Sequence, residues 1–400
     1  MKYAILVGDG MGDYAIPELG NQTPLESADT PHMDALAQGG LLGLVRTIPK
    51  NMEAGSDVAN LSIMGYDPAV YHTGRAPLEA ASMGVSLADN EVAFRLNLIN
   101  LTFKRGGHLI MRDHSAGNIS TAEAHAIIED LAGKLPLEKG QKIYPGVSYR
   151  HLLVWPGLKS SLPTIAPHDY LDQDVTAYLN QSGEMKPLLD LIQASWPLLE
   201  KNPVNLKRKA KGLLVANSIW PWGQGRGLTM PTYQERWGIN GAVVSAVDLI
   251  KGLGVYAGLK PINVPGATGF IDTDYEAKVK AALNSLKRTD LVFLHIEAPD
   301  EASHQGNLQE KIKAIEFFDS RVVGPMRAGL IEMGDFRMLI LCDHFTPISV
   351  KTHTPEPVPF IIFPGPLPSN RAYSEKQASE AGIYFEQGHT LIDLFLDKQK

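Results

Sequence analysis

The sequence predicts an α/β protein with a largely parallel sheet and a smaller inserted α+β domain. Short apolar runs alternate with helix-period segments over most of the 400 residues, the pattern of strands joined by crossover helices. Most of these runs are continuously apolar, as for strands covered on both faces. From about 90 to 178 the texture changes: strand candidates alternate more, and turns such as Arg105–Gly106–Gly107 and Tyr144–Pro145–Gly146 crowd together.

The elements follow in order. Residues 3–7 (Tyr-Ala-Ile-Leu-Val) form the first strand, and further strands are expected at 92–101, 213–217, 242–245, 291–296, 338–341 and 360–363. Helix periodicity is expected at 121–132, 247–256, 275–286, 308–333 and 390–396. The core is assigned to 1–89 with 179–400, and the insert to 90–178. No repeat or low-complexity tract interrupts this plan.

Composition narrows the function classes. The net charge of −7 and the lack of a basic, aromatic-studded groove argue against nucleic acid and against an anionic membrane as partners. The basic run from Lys207 to Lys211 reads as a solvated face. No stretch approaches the ~18 apolar residues of a membrane span. The first residues run into a strand without a signal-peptide pattern, so a cytoplasmic protein is expected. The single cysteine, Cys342, reads as an inert buried thiol. Nothing in the sequence fixes an oligomeric state.

Four clusters place acidic and imidazole groups at expected strand ends. Gly8–Asp9–Gly10–Met11–Gly12–Asp13 follows the first strand, where glycines permit a sharp turn and Asp9 reaches the carboxyl edge of the sheet. A plain turn would also account for it. Gly55–Ser56–Asp57 precedes a helix-period run, so Ser56 reads as an N-cap. At a helix start its oxygen would also face N–H groups that favour an alkoxide and bound phosphate. Asp300 and His304 are four apart beyond the strand 291–296 and share one helix face, as an ion pair or as ligands of one ion. Asp343 and His344 end the strand 338–341, an awkward pair to bury unless something coordinates them. His353 follows in a proline-rich loop that would hold it in place.

Together these clusters offer three carboxylates (Asp9, Asp300, Asp343), three imidazoles (His304, His344, His353) and one hydroxyl (Ser56). Mixed oxygen and nitrogen donors suit Mn²⁺, Mg²⁺ or Zn²⁺. Seven donors exceed one structural zinc and suit two ions flanking a nucleophile, able to clamp the attacking and leaving oxygens of an in-line displacement.

These motifs, with Gly55–Tyr66 (GSDVANLSIMGY) and Gly74–Met83 (GRAPLEAASM), resemble those of the archaeal-type cofactor-independent phosphoglycerate mutases, a branch of the alkaline phosphatase superfamily. The resemblance runs over nearly the whole chain. It implies an alkaline phosphatase-like core with a mixed, mostly parallel sheet. It also implies two divalent cations, Mn²⁺ before Mg²⁺ or Zn²⁺, one on Asp300, His304 and His353 and the other on Asp9, Ser56, Asp343 and His344. Ser56 would then carry the phosphoryl group between the two hydroxyls of glycerate. The expected substrate is thus a small phosphorylated metabolite. The insert would act as a lid that keeps water from the phosphoserine.

The chain departs from that family where substrate specificity is set. It has Thr73–Gly74–Arg75–Ala76–Pro77 in place of an Arg-Gly-Arg-Gly-Pro stretch, and Met111–Arg112–Asp113–His114–Ser115–Ala116–Gly117 in place of an arginine-rich segment. Arginines bind carboxylate and phosphate bidentately. These variants resemble a bacterial subgroup proposed to act as homoserine kinases, which is the alternative reading. A metal-dependent phosphatase is a third, and a retired enzyme kept as a binding module is disfavoured by the intact donor set. Arg75, Arg95, Arg112, His114 and Lys351 are the candidate substrate contacts.

Overall fold

A computed structural model describes residues 1–366 and 368–397. The chain divides into two compact units, Met1–His72 with Thr229–Lys400, and Thr73–Leu228. The second unit begins earlier and ends later than the 90–178 expected from texture.

The first unit is built on an eight-stranded sheet. Its strands lie in the order Tyr384–Phe385, Leu41–Val45, Val358–Phe363, Phe336–Leu341, Lys2–Gly8, Leu291–Ile296, Gly241–Val244 and Lys260–Ile262. All neighbours are parallel except Val358–Phe363, which runs against both of its partners. The mostly parallel α/β expectation is met, and for the reason given: Leu291–Ile296 is buried at every position, so its apolar run serves both faces. Register then decides where the chemistry goes. Gly8 lies opposite Ile296 and Val7 opposite Leu341. The residues that follow these three parallel strands therefore leave the sheet at one carboxyl edge.

The long helix expected at 308–333 is interrupted. Leu308–Phe318 and Gly324–Met333 are α-helical, and Asp319–Val323 between them is a π-turn. The extra residue turns Asp319 inward, where its carboxylate accepts from the backbone N–H of Met33 (2.7 Å) and His32 (3.2 Å). It thereby caps the helix Pro31–Gly39, whose own Thr30 makes no side-chain cap.

The second unit has a five-stranded antiparallel sheet around the 13-residue strand Glu91–Phe103. One edge of that strand pairs with Arg150–Pro156 and then with Leu109–Asp113; the other pairs with Ser218–Arg226. Its burial is nearly continuous rather than alternating, because Phe94, Leu96 and Leu98 share a core with helices Thr121–Ala132 and Lys186–Glu200 and with Trp220. The unit outgrows 90–178 because that helix and the strand Ser218–Arg226 complete this core. The strand expected at 213–217 begins instead at Ser218. Asn217 precedes it and pairs through its side chain, its amide accepting from Leu101 N–H and donating to Leu101 O, each at 2.7 Å. The basic run is not wholly solvated either: Arg208 is buried and donates to Leu214 O, Ala116 O and Glu123.

Candidate metal centre and nucleophile

The seven predicted donors all lie in the first unit, at the carboxyl edge of its sheet, and they come together there. Asp9 follows Gly8 and is buried; its N–H donates to Ile296 O at 2.8 Å, which prolongs the strand pairing by one residue. Gly10 makes the turn at φ 63°, and its N–H donates to Asp343 Oδ1 at 3.1 Å. A Cβ there would meet Asp300 Oδ1 and Thr346 Oγ1 at 2.6 Å. Glycine is thus demanded twice over, by conformation and by space.

Ser56 is not the N-cap. Gly55 holds that place in extended conformation, and Ser56 is the first residue of the helix Ser56–Ile63. Its hydroxyl is therefore free of capping, and Oγ lies 3.1 Å from His344 Nε2. Asn60, one turn on, donates from Nδ2 to Ser56 O (2.9 Å) and to Asp343 Oδ2 (2.8 Å). This helix start is thereby tied to the strand end that bears Asp343.

His344 is fully buried. Its Nδ1 lies 3.1 Å from Thr346 Oγ1, and that hydroxyl donates its hydrogen to Asp300 Oδ1. The hydroxyl can only accept from the ring, so the His344 proton sits on Nδ1 and Nε2 presents a lone pair. That lone pair faces Ser56 Oγ, Asp343 Oδ2 at 3.4 Å and Asp9 Oδ1 at 3.5 Å. Burial lowers the His344 pKa, which keeps the ring neutral. Burial also lifts the Asp9 carboxyl well above the ordinary range, and Asp343 and Asp300 push it the same way.

The other three donors converge a few ångströms away. His304 Nε2 lies 3.1 Å from Asp300 Oδ2 and 3.1 Å from His353 Nε2, and His353 Nε2 lies 3.6 Å from Asp300 Oδ1. His304 Nδ1–H donates to Lys351 O at 3.0 Å, so Nε2 is the atom that faces Asp300 and His353. Burial alone would raise Asp300, but hydrogen bonds from His304 and His353 prevail and hold it well below the usual carboxylate range. The hydrogen bond to Asp300 raises His304 to about 9.

Three groups among the described residues have ligand atoms within 4.8 Å of one another: Asp300, His304 and His353; Asp9, Asp300 and His344; and Asp9, His295 and Asp343. Asp9 Oδ1 and His295 Nε2 are buried without a hydrogen-bond partner. Lone pairs and carboxylates crowded in this way repel unless a cation lies among them. The donor set fits divalent cations.

A buried layer fastens the loops after Lys2–Gly8 and Phe336–Leu341 to the helix Leu308–Phe318. Lys311 is fully buried and donates to Asp13 Oδ2 (2.8 Å), Thr346 O (3.0 Å) and Gly12 O (3.1 Å). Asp13 also accepts from Ile348 N–H, and Thr47 Oγ1 donates to Asp343 O at 2.6 Å. Sequence reasoning did not single out His295, Asn60, Lys311 or Thr346. His295 left one signal, an imidazole inside a fully apolar run; the other three have no local signature.

The candidate substrate contacts divide between the units. Lys351 stands in the first, exposed, with left-handed backbone (φ 60°) and its carbonyl on His304. Within the second unit, Arg95 pairs with Glu79 at 3.1 Å and lies 4.2 Å over the Trp222 ring. His168 stands edge-on to Trp222 (5.1 Å) and to His114 (6.1 Å). Arg75 and Arg150 add to the positive field at Arg95. Burial lowers the His168 pKa, and Arg95, His114 and Arg75 depress it further. Arg112 is not part of this cationic cluster: it is exposed and paired with Asp172 at 3.0 Å.

Comparison with known proteins gives the family. The profile of the 2,3-bisphosphoglycerate-independent phosphoglycerate mutases matches residues 37–205. A probable 2,3-bisphosphoglycerate-independent phosphoglycerate mutase from Geobacter sulfurreducens is 50% identical over 401 residues, covering 100% of both chains. The 2,3-bisphosphoglycerate-independent phosphoglycerate mutase from Methanothrix thermoacetophila is 50% identical over 399 residues, 99% of this chain and 100% of its own. Among solved structures, a Pyrococcus horikoshii protein superposes with a TM-score of 0.80 at 28% identity, covering 100% of this chain and 98% of the other. The cofactor-independent phosphoglycerate mutase from Thermoplasma acidophilum shares the fold, with a TM-score of 0.65 at 24% identity and 99% of each chain covered. With half its residues shared along the full length of such relatives, this chain belongs to the 2,3-bisphosphoglycerate-independent phosphoglycerate mutase family.

Proposed function

We propose that the protein interconverts 3-phosphoglycerate and 2-phosphoglycerate through a phosphoserine on Ser56. The observation that carries this reading is the placement of Ser56 Oγ, free of a capping role and 3.1 Å from His344 Nε2 beside Asp9 and Asp343. Asp300, His304 and His353 would hold one divalent cation, and Asp9, Ser56, Asp343 and His344 the other, with Mn²⁺ the expected metal. Bound there, the cations supply Lewis acidity, lowering the basicity of the serine oxygen and offsetting charge on the transferring group.

The chain's own residues do the rest. Ser56 Oγ gives up its proton and attacks phosphorus, a new P–O bond forms, and the bond from phosphorus to the glycerate oxygen breaks. That oxygen takes up a proton as glycerate is released within the site. The second glycerate hydroxyl then loses its proton and attacks the phosphoserine, and Ser56 Oγ leaves and takes a proton back. No phosphate is consumed or freed overall. The helix beginning at Ser56 directs N–H groups toward the phosphoryl oxygens. Arg75, Arg95 and His114 are candidate contacts for the substrate's anionic groups.

The homoserine kinase alternative is not favoured, because relatives about 50% identical over the full chain carry the mutase name. The test is a coupled assay with Mn²⁺, in which 3-phosphoglycerate is supplied and 2-phosphoglycerate detected. Ser56→Ala should abolish isomerisation, at least about 10³-fold by the scale of losing a nucleophile, and leave the melting curve near wild type. Retained turnover would remove Ser56 from the mechanism. Net phosphate release from the wild type would make the protein a phosphatase instead.

A further inference from the structure

We infer that His295 is an additional ligand of the cation bound by Asp9 and Asp343. The inference rests on the metal-dependent reading above but reaches beyond the seven donors that the family resemblance names. His295 is the fifth residue of the strand Leu291–Ile296, in register with Val7, one residue before the strand end that delivers Asp9. It is fully buried in an otherwise apolar run, a costly place for an imidazole without a polar task.

Its Nε2 lies 3.1 Å from Asp9 Oδ2 and yet makes no hydrogen bond, and Asp9 Oδ1 is unpartnered as well. One ligand atom each from Asp9, His295 and Asp343 lies within 4.8 Å of the other two. The far side of the ring explains which nitrogen is available. Nδ1 lies 3.4 Å from Ser245 Oγ, and that oxygen also accepts from Val247 N–H at 2.9 Å. With the ring proton on Nδ1 and directed at Ser245, Nε2 keeps a lone pair beside the Asp9 carboxylate. Such a convergence of three electron-rich atoms is a ligand arrangement, and the serine is the outer partner that a ligating histidine needs to fix its tautomer. A mixture of carboxylate and imidazole donors selects a divalent transition ion over Ca²⁺.

The test uses the full chain, stripped of metal and titrated with Mn²⁺ by calorimetry, followed by pulsed electron paramagnetic resonance of the loaded protein with ¹⁵N-labelled histidine. His295→Asn should weaken one Mn²⁺ binding step more than tenfold, leave the other within twofold, and remove one histidine nitrogen coupling. Ser245→Ala keeps the imidazole and should weaken the same step by about 10-fold, at the low end for an outer partner. It remains informative should His295→Asn fail to fold. Unchanged affinity with the full set of couplings in either folded variant would overturn the inference, leaving His295 as a hydrogen-bond partner of Asp9. Absence of Mn²⁺ binding by the wild type would instead overturn the metal-dependent reading on which it rests.

Discussion

At the scale of single residues, the site is a collection of polar atoms whose neighbours dictate their protonation. Thr346 spends its hydrogen on Asp300 and can only accept from His344; Lys351 O claims Nδ1–H of His304. Both rings thus turn Nε2 inward toward the carboxylates, an arrangement that fits a divalent cation. Asp300 is central because both of its oxygens are engaged by imidazoles. Replacing it by Asn keeps the shape and removes the charge. Asp300→Asn should weaken one of the two Mn²⁺ steps by more than the about 10–100-fold typical of an outer-partner loss, and leave Ser56 in place. A calorimetric titration with unchanged stoichiometry and affinity would contradict the assignment.

At the scale of elements, the question is what keeps three separate loops in register. Lys311 answers most of it, since a single ammonium binds the loop after Lys2–Gly8 and the loop after Phe336–Leu341 from the helix Leu308–Phe318. Burial lowers its pKa, and Asp13 opposes that shift. Lys311→Met would strand the Asp13 carboxylate, and the expected loss is about 3–5 kcal/mol of unfolding free energy in urea. Adding Asp13→Asn should recover part of it; a double variant no better than the single would show that the charge pair is not the cause.

Nearby, Glu375 accepts from Thr23 Oγ1 (2.8 Å) and from Asp13 N–H (3.3 Å). Burial raises its carboxyl from 4.5 to about 7. The folded chain therefore keeps this proton at pH values where the unfolded chain has lost it. The stabilisation is complete below about 4.5 and is lost as pH rises through about 7. Glu375→Gln should remove this dependence, worth about 3 kcal/mol at most. Unfolding curves of the metal-free protein between pH 5 and 8 that slope equally for both forms would refute it.

At the scale of the whole molecule, two units are interleaved along the chain: one continuous, Thr73–Leu228, and one split into two stretches around it. The continuous unit holds a large apolar core of its own, running from Val92 to Trp222. Expressed alone, residues 73–228 should melt in one cooperative transition and bind no Mn²⁺. A broad, non-cooperative melt would show that the unit depends on the rest of the chain.

What the sequence determined by itself was local in its physics. Apolar runs without alternation suit strands covered on both faces, and polar groups such as Asp9, Asp300 and Asp343 emerge just beyond the ends of such runs. The seven candidate donors could be picked out for that reason and because their order resembles a known family; the structure brings their side chains together. Tertiary structure decided everything that depends on atoms distant in the chain. Ser56 looked like a cap until Gly55 took that role and His344, 288 residues away, came within 3.1 Å of it. Lys311 and Asn60 carry no local mark of function, and His295 only that of an imidazole in an apolar run; each draws its meaning from carboxylates brought close by the fold. The limits of the inserted unit were likewise set by pairing, because the strand Ser218–Arg226 joins Glu91–Phe103 across more than a hundred residues that no local pattern can span.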